Sequence, residues 1–240
     1  MSITLLLLLI TFVSMFVQTV IGFGYGFIAV PLYSFLLSSS EITAISTVVA
    51  TGAILILSGL TIKKTNLKIL LYILPPCLIG TYVGISIGKA LPEATLKRYL
   101  GLVLVFMAIY QLSISKRIKV KANLPFAILL GFISGILQGS VVMGGAPIAL
   151  YLLACTDDKD EYHGTMNCNF IIVNIFMIII RILNGQLNSG STSLISLMMI
   201  PTVLAIYIGR KLLKKISVES MKNVVYGFMI LMGSYIVIFS

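Results

Sequence analysis

Charge is scarce in this chain: 24 of its 240 residues, 17 Lys or Arg and seven Asp or Glu, carry a formal charge. A soluble domain of this size covers its surface with far more, so that class is excluded. The seven acids (Glu41, Glu93, Asp157, Asp158, Asp160, Glu161 and Glu219) all fall in expected loops or at helix ends. Cation channels and proton-driven pumps commonly rely on a carboxylate at membrane depth, and both are disfavoured here. The single histidine, His163, sits in a charged stretch and reads as a solvated cap or interface residue, with pH sensing as the alternative. An intramembrane enzyme needs a nucleophile and base or a metal cluster, and the chain has no HExxH, paired aspartates or CxxC. Cys77, Cys155 and Cys168 lie in or beside apolar segments. They read as small core residues, with no disulfide framework or thiolate metal site. No cofactor motif and no nucleic-acid-binding motif is present.

What fills the chain instead is apolar: 59% of residues are hydrophobic and mean hydropathy is +1.10. Apolar segments run over 3–37, 42–62, 69–88, 99–115, 124–156, 164–183, 193–209 and 223–239. Most are long enough to cross a hydrocarbon core of roughly 30 Å, so the expectation is an all-α, polytopic integral membrane protein. The first segment lacks the basic start and small-residue cleavage site of a secretory signal and is expected to be retained.

The first and fifth segments are too long for one crossing. At 1.5 Å per residue, the 33 residues of 124–156 would make a helix of about 50 Å. Each must break, and glycines with a following proline mark where: QTVIGFGYGFIAVPLY over Gln18–Tyr33 and QGSVVMGGAPIALY over Gln138–Tyr151. Pro31 and Pro147 are taken as part of these breaks.

Basic residues discriminate between a hairpin and a single crossing, because cytoplasmic loops collect Lys and Arg. If both long segments return to their starting side, Lys63, Lys64, Lys68, Lys116, Arg117, Lys119, Lys121, Lys159, Arg210, Lys211, Lys214, Lys215 and Lys222 share one face. Only Lys89, Lys97, Arg98 and Arg181 take the other, a split of thirteen to four; single crossings divide the same residues eight to nine. The hairpin reading therefore wins. It makes residues 1–117 and 118–240 two inverted repeats of one membrane domain, each a broken hairpin plus three crossings, with both termini outside the cytoplasm. The internal match extends further: Pro76, Gly80 and Gly84 recur as Pro201, Ala205 and Gly209, and Leu100-Gly101 as Tyr226-Gly227. Close helix packing accounts for such small residues singly, but not for their matched positions.

Paired broken segments in two halves of a membrane protein point to a transporter's substrate site. The two tips should meet near the midplane, and a helix restarting after each break presents free N–H groups and a positive dipole end that suit an anion. Gly22, Gly24, Gly26, Gly144 and Gly145 are the candidates to expose backbone donors. Gln18 and Gln138, each six residues before Gly24 or Gly144, can satisfy loose backbone at their own tips, contact substrate, or do both. Asn167, Asn174 and Arg181 fall seven apart on one helical face, and an unpaired mid-span amide at Asn174 would be expensive. Thr47, Thr51, Ser58 and Thr61 form a second stripe whose hydroxyls can bond to their own helix carbonyls or face the substrate path. Arg181 either snorkels to the outer interface or attracts an anion toward the outer mouth, and Lys97 and Arg98 face the same choice.

Taken together, GFGYGFIAVPL at Gly22–Leu32, GFISGILQGSVVMGGAPIALYLLA at Gly131–Ala154 and the run from Asp158 and Lys159 through Thr165 and Asn174 to Arg181 resemble the TauE/SafE group of anion permeases. The likeness covers nearly the whole chain. It implies transport of a small sulfur-containing or organic anion (sulfite, thiosulfate, a sulfonate or sulfoacetate) across the inner membrane of a bacterium or archaeon. The chain departs from the family pattern at Val141-Val142-Met143, which replaces part of a richer glycine run, and at Ala146 before the proline. Those departures leave substrate and direction open. An anion channel shares the positive field and remains the alternative to a carrier. The partners expected are the anion and membrane lipid, with a homo-oligomer as a further option.

Overall fold

The computed structural model describes residues 3–22, 24–59, 61–114, 122–186, 189–212 and 218–239. Lys116, Arg117, Lys119, Lys121, Lys214, Lys215 and the expected repeat boundary at 117/118 lie outside the described residues. Among the described residues there are ten α-helices: α1 (Ile3–Ile21), α2 (Tyr25–Tyr33), α3 (Ser39–Ser58), α4 (Leu67–Ala90), α5 (Glu93–Ile109), α6 (Leu124–Val141), α7 (Gly145–Cys155), α8 (Lys159–Leu183), α9 (Ser189–Leu212) and α10 (Val218–Phe239). No strand occurs among the described residues.

Local chemistry fixes the helix starts. Ser38 and Glu41 form a reciprocal capping box at α3, Asn66 Oδ1 accepts the N–H groups of Lys68 and Ile69 at α4, and Asn123 Oδ1 accepts that of Phe126 at α6. Asp158 starts α8 by accepting from the N–H groups of Asp160 and Glu161. The bonds from Glu161 and Asp160 hold its carboxyl below the usual carboxylate range.

Eight of the ten helices are long and apolar enough to cross a membrane. The exceptions are α2 and α7, of nine and eleven residues, which reach only about 14 and 17 Å. Each long segment is thus one spanning-length arm, α1 or α6, followed by a short second arm. Thr11 Oγ1 and Tyr33 OH, 2.7 Å apart, tie the arms of the first hairpin; Tyr151 OH donates to the Asn123 carbonyl at 3.4 Å in the second.

Polarity is distributed as lipid demands. Large apolar side chains such as Leu71, Ile79, Leu102, Phe106, Ile179 and Leu231 are exposed, while Asn169, Asn174, Gln138 and Arg181 are buried. Inside, α4 packs along α6, α1 along α9, α3 along α8 and α5 along α10. The α4–α6 contact is backbone to backbone: a Cβ on Gly135 would sit on the Cys77 carbonyl, and one on Gly80 on the Phe132 carbonyl. Gly101 packs closely on Gly233, whereas a Cβ added to Gly227, its sequence counterpart, would meet nothing within 4 Å. Close packing therefore accounts for the first glycine of that pair and not the second.

Contacts also sort the basic residues by end. Asn66 donates to Glu161 and Thr165, which places Lys63, Lys64, Lys68 and Lys159 together. Arg210 reaches the carbonyls of Ile56 and Leu57 at the end of α3, and Thr61 meets Gly164 near the same place. Lys89 donates to Asn184 at the opposite end, beside Arg181.

Candidate functional site

The first hairpin breaks where the backbone needs glycine: Gly22 has φ 92° and Gly24 φ 128°, values an L side chain rarely adopts. The second breaks at Val142, with φ 58° and ψ 38°, a strained conformation for a β-branched residue. Both prolines lie beyond the breaks. Pro147 occupies the first turn of α7, where its missing N–H costs nothing, and Pro31 lies inside α2, so the assignment of these prolines to the breaks is corrected.

Each glutamine stitches its own tip. Gln18 Oε1 accepts the Tyr25 N–H at 3.0 Å, and its carbonyl accepts that of Gly22 at 2.8 Å. In the second hairpin Gln138 Oε1 accepts the Gly144 N–H at 2.9 Å, and its carbonyl accepts that of Val142 at 3.0 Å. Gln138 Nε2 then donates to Asn174 Oδ1 at 2.9 Å, joining α6 to α8. This orientation leaves Asn174 Nδ2 buried with no partner among the described residues. The Gln18 amide nitrogen likewise makes no bond among them.

The tips meet. A Cβ on Gly26 would fall on the Val142 carbonyl, and the two breaks enclose a cavity of about 60 Å³. Its walls include Gln18, Gly22, Gly24 and Gly26 from the first hairpin and Gln138 and Gly145 from the second. Asn167 and Asn174 of α8 complete its polar side, and Met143, Met166 and Phe170 supply apolar wall. Among the described residues no charged side chain lines it. The Phe27 N–H is taken by the Gly24 carbonyl and that of Tyr25 by Gln18, and the N-termini of α2 and α7 bring two positive dipole ends to one small space. The volume suits a few waters or one small polyatomic ion, and the lining offers it amide and backbone donors.

Other expected site residues are elsewhere. Gly144 does not line the cavity; it anchors Gln138 and packs on Ser134, whose hydroxyl donates to the Gly144 carbonyl at 2.5 Å. Thr47 and Thr51 donate to the carbonyls of Thr43 and Thr47, both at 2.6 Å, and neither lines the cavity. Ser58 bonds to the Leu55 carbonyl, and the buried Thr61 hydroxyl has no partner among the described residues. Arg181 does not snorkel: it is 2% exposed and faces a different cavity. Lys97 pairs with Glu93 at 3.1 Å, and Arg98 is exposed.

Two contributors escaped the sequence reading. His163 is no solvated loop residue but part of α8, its ring edge-on to Tyr162 and against Gly22. Ser134, one turn before Gln138, has that four-residue spacing as its only sequence signal. The cysteines are free, with Cys77 buried beside Asn169.

A family model described as Sulfite exporter TauE/SafE matches residues 6–236. Nothing matches among curated proteins or solved structures.

Proposed function

The chain belongs to the TauE/SafE sulfite exporter family, and from that premise we propose that the cavity between its two hairpin tips binds and carries a small sulfur oxyanion or organosulfonate. The family is one of membrane transporters and not of enzymes, and eight spanning-length helices fit it.

One observation carries the site assignment: Asn174 Nδ2, buried and unpartnered, in a cavity led by two helix N-termini and free of carboxylates. A donor left unsatisfied at that depth costs about 1–3 kcal/mol, a cost that an anion's oxygen removes. Gln18 and the first-turn amides of Gly26 and Gly145 would complete the shell, while Gln138 orients Asn174 and holds the second tip. With neutral donors alone, the site can release its ligand, as transport requires.

The exchange of partners supports two inverted repeats. Swapping α1 with α6 and α4 with α9 converts the α4–α6 contact into α1–α9, and α3–α8 and α5–α10 map onto themselves. With the basic end in the cytoplasm, the first hairpin would enter from outside and the second from inside. An anion leaving a negative interior gains about 2.3 kcal/mol per charge per 100 mV, so export needs no coupling ion.

The test is uptake of ³⁵S-sulfite, with thiosulfate and sulfoacetate as competitors, into proteoliposomes containing the full chain. Saturable flux stimulated by counter-ligand, and lost in Gln18→Ala or Gln138→Ala protein that remains folded, supports the carrier. Unchanged affinity and rate in both variants overturns the site, and large single-channel currents replace the carrier with a channel.

A further inference from the structure

Arg181 is the one arginine among the described residues buried deep in the protein, at 2% exposure. Its hydrogen-bond partners are neutral: Nη1 donates to Thr43 Oγ1 at 2.8 Å and Gln186 Oε1 at 3.0 Å, and Nη2 to the Gly139 carbonyl at 3.0 Å. Its Nε is buried with no partner among the described residues. A buried guanidinium without a carboxylate is an uncompensated charge, which a folded protein tolerates poorly unless a counter-ion joins it.

Arg181 lines a cavity of about 210 Å³ whose walls contain no acid. Lys89 stands at its edge, exposed and donating to Asn184 Oδ1 at 3.2 Å. Ser39 and Ser40, in the first turn of α3, add the positive end of a 20-residue helix. Glu41 and Glu93, close in sequence to lining residues Ser40 and Leu96, are otherwise engaged: Glu41 caps Ser38 and Glu93 pairs with Lys97.

The cavity between the hairpin tips and this one are lined by consecutive residues of α6: Gln138 lines the first and Gly139 the second. On α8, Asn174 and Arg181 are two turns apart, about 10 Å along the axis. We propose that the Arg181 cavity is a second anion-binding site, a charged vestibule that holds a small oxyanion next to the neutral carrier site. The two differ in chemistry: the vestibule attracts by fixed charge and is sensitive to salt, while the carrier site grips through neutral donors. Transfer between them moves the anion past the Gln138-Gly139 backbone. The proposal rests on the reading of the protein as an anion carrier.

Scintillation-proximity binding of ³⁵S-sulfite to the purified full chain, read as stoichiometry and affinity at low and high ionic strength, tests it. Two equivalents are expected, one of them weakened by salt. Arg181→Gln removes the salt-sensitive equivalent and leaves the other. Lys89→Gln, an exposed substitution that spares folding, weakens the same equivalent by about 2- to 5-fold at low salt and has no effect at high salt. The double variant Gln138→Ala/Asn174→Ala keeps the salt-sensitive equivalent alone. One equivalent in the wild type, lost in the double variant and untouched by Arg181→Gln and Lys89→Gln, overturns the vestibule and spares the carrier site. Salt-sensitive binding that survives the double variant, with no second equivalent in the wild type, overturns the carrier site and spares the vestibule. No sulfite binding at all overturns both.

Discussion

The carbonyl oxygen of Val142 occupies the place that a Cβ on Gly26 would take. Gly26 opens the short arm of one hairpin and Val142 ends the long arm of the other, so this contact sets how closely the two tips approach. Everything in the cavity depends on that spacing, because Gln18 and Gln138 belong to different hairpins.

Gly26→Ala should therefore force the tips apart. The obstacle is backbone, which cannot swing aside as a flexible side chain can, and overpacking of this kind costs about 1–3 kcal/mol. A lowered melting temperature and sulfite flux reduced at least about tenfold are expected. Flux and melting unchanged from the wild type would show that the tips are not held by this contact.

Val142 itself is held in the left-handed region, where a residue with a Cβ costs roughly 1–2 kcal/mol relative to glycine. It is also buried, so truncation loses packing. Comparing Val142→Gly with Val142→Ala separates the two effects, since both lose the packing and only the glycine relieves the backbone. The glycine variant should melt above the alanine variant, by roughly 2–4 °C per kcal/mol for a chain of this size. The reverse order, normal for a helix interior, would show that the residue is not left-handed.

The breaks were legible because glycine runs inside an apolar segment have few other uses, and segment length alone required a fold-back. The pairing of Gln18 with one tip and Gln138 with the other was legible from matched spacing. The fate of Arg181 was not: its sequence position near a helix end fits snorkelling as well as burial, and only Thr43, Gly139 and Gln186, distant or irregular in sequence, decide it. That Thr47 and Thr51 bond their own helix carbonyls and do not line the cavity was hidden for a similar reason. A stripe of hydroxyls looks the same whether it faces a path or bonds its own carbonyls. His163 was misplaced because charged neighbours masked the start of α8, which Asp158 caps from just upstream.

The glycines of α4 and α6 provide a test of assembly. Gly135→Val would drive a branched side chain into the Cys77 carbonyl, against a helix that is itself packed on α8. The chain should fail to elute as a monodisperse species in mild detergent, while Gly227→Ala, whose added Cβ would meet nothing within 4 Å, should behave as wild type. Equal behaviour of the two variants would argue against a backbone-to-backbone α4–α6 contact.

Asn174 offers the sharpest test of what the carrier cavity binds. Asn174→Asp keeps an oxygen to accept from Gln138 Nε2, so the α6–α8 link survives, but it replaces the unpartnered donor with a negative charge. Two like charges 4 Å apart repel by about 4 kcal/mol at an effective dielectric of 20, enough to weaken anion binding by at least about 100-fold. Lowering the pH protonates the introduced carboxyl, removes the charge and restores a donor, so sulfite affinity should recover as pH falls. Wild-type protein, with amides in the cavity, should not show that recovery. The measurement is sulfite-induced stabilisation of the folded chain across pH, compared between the two proteins. A variant that binds as tightly as wild type at high pH would place the anion somewhere other than beside Asn174.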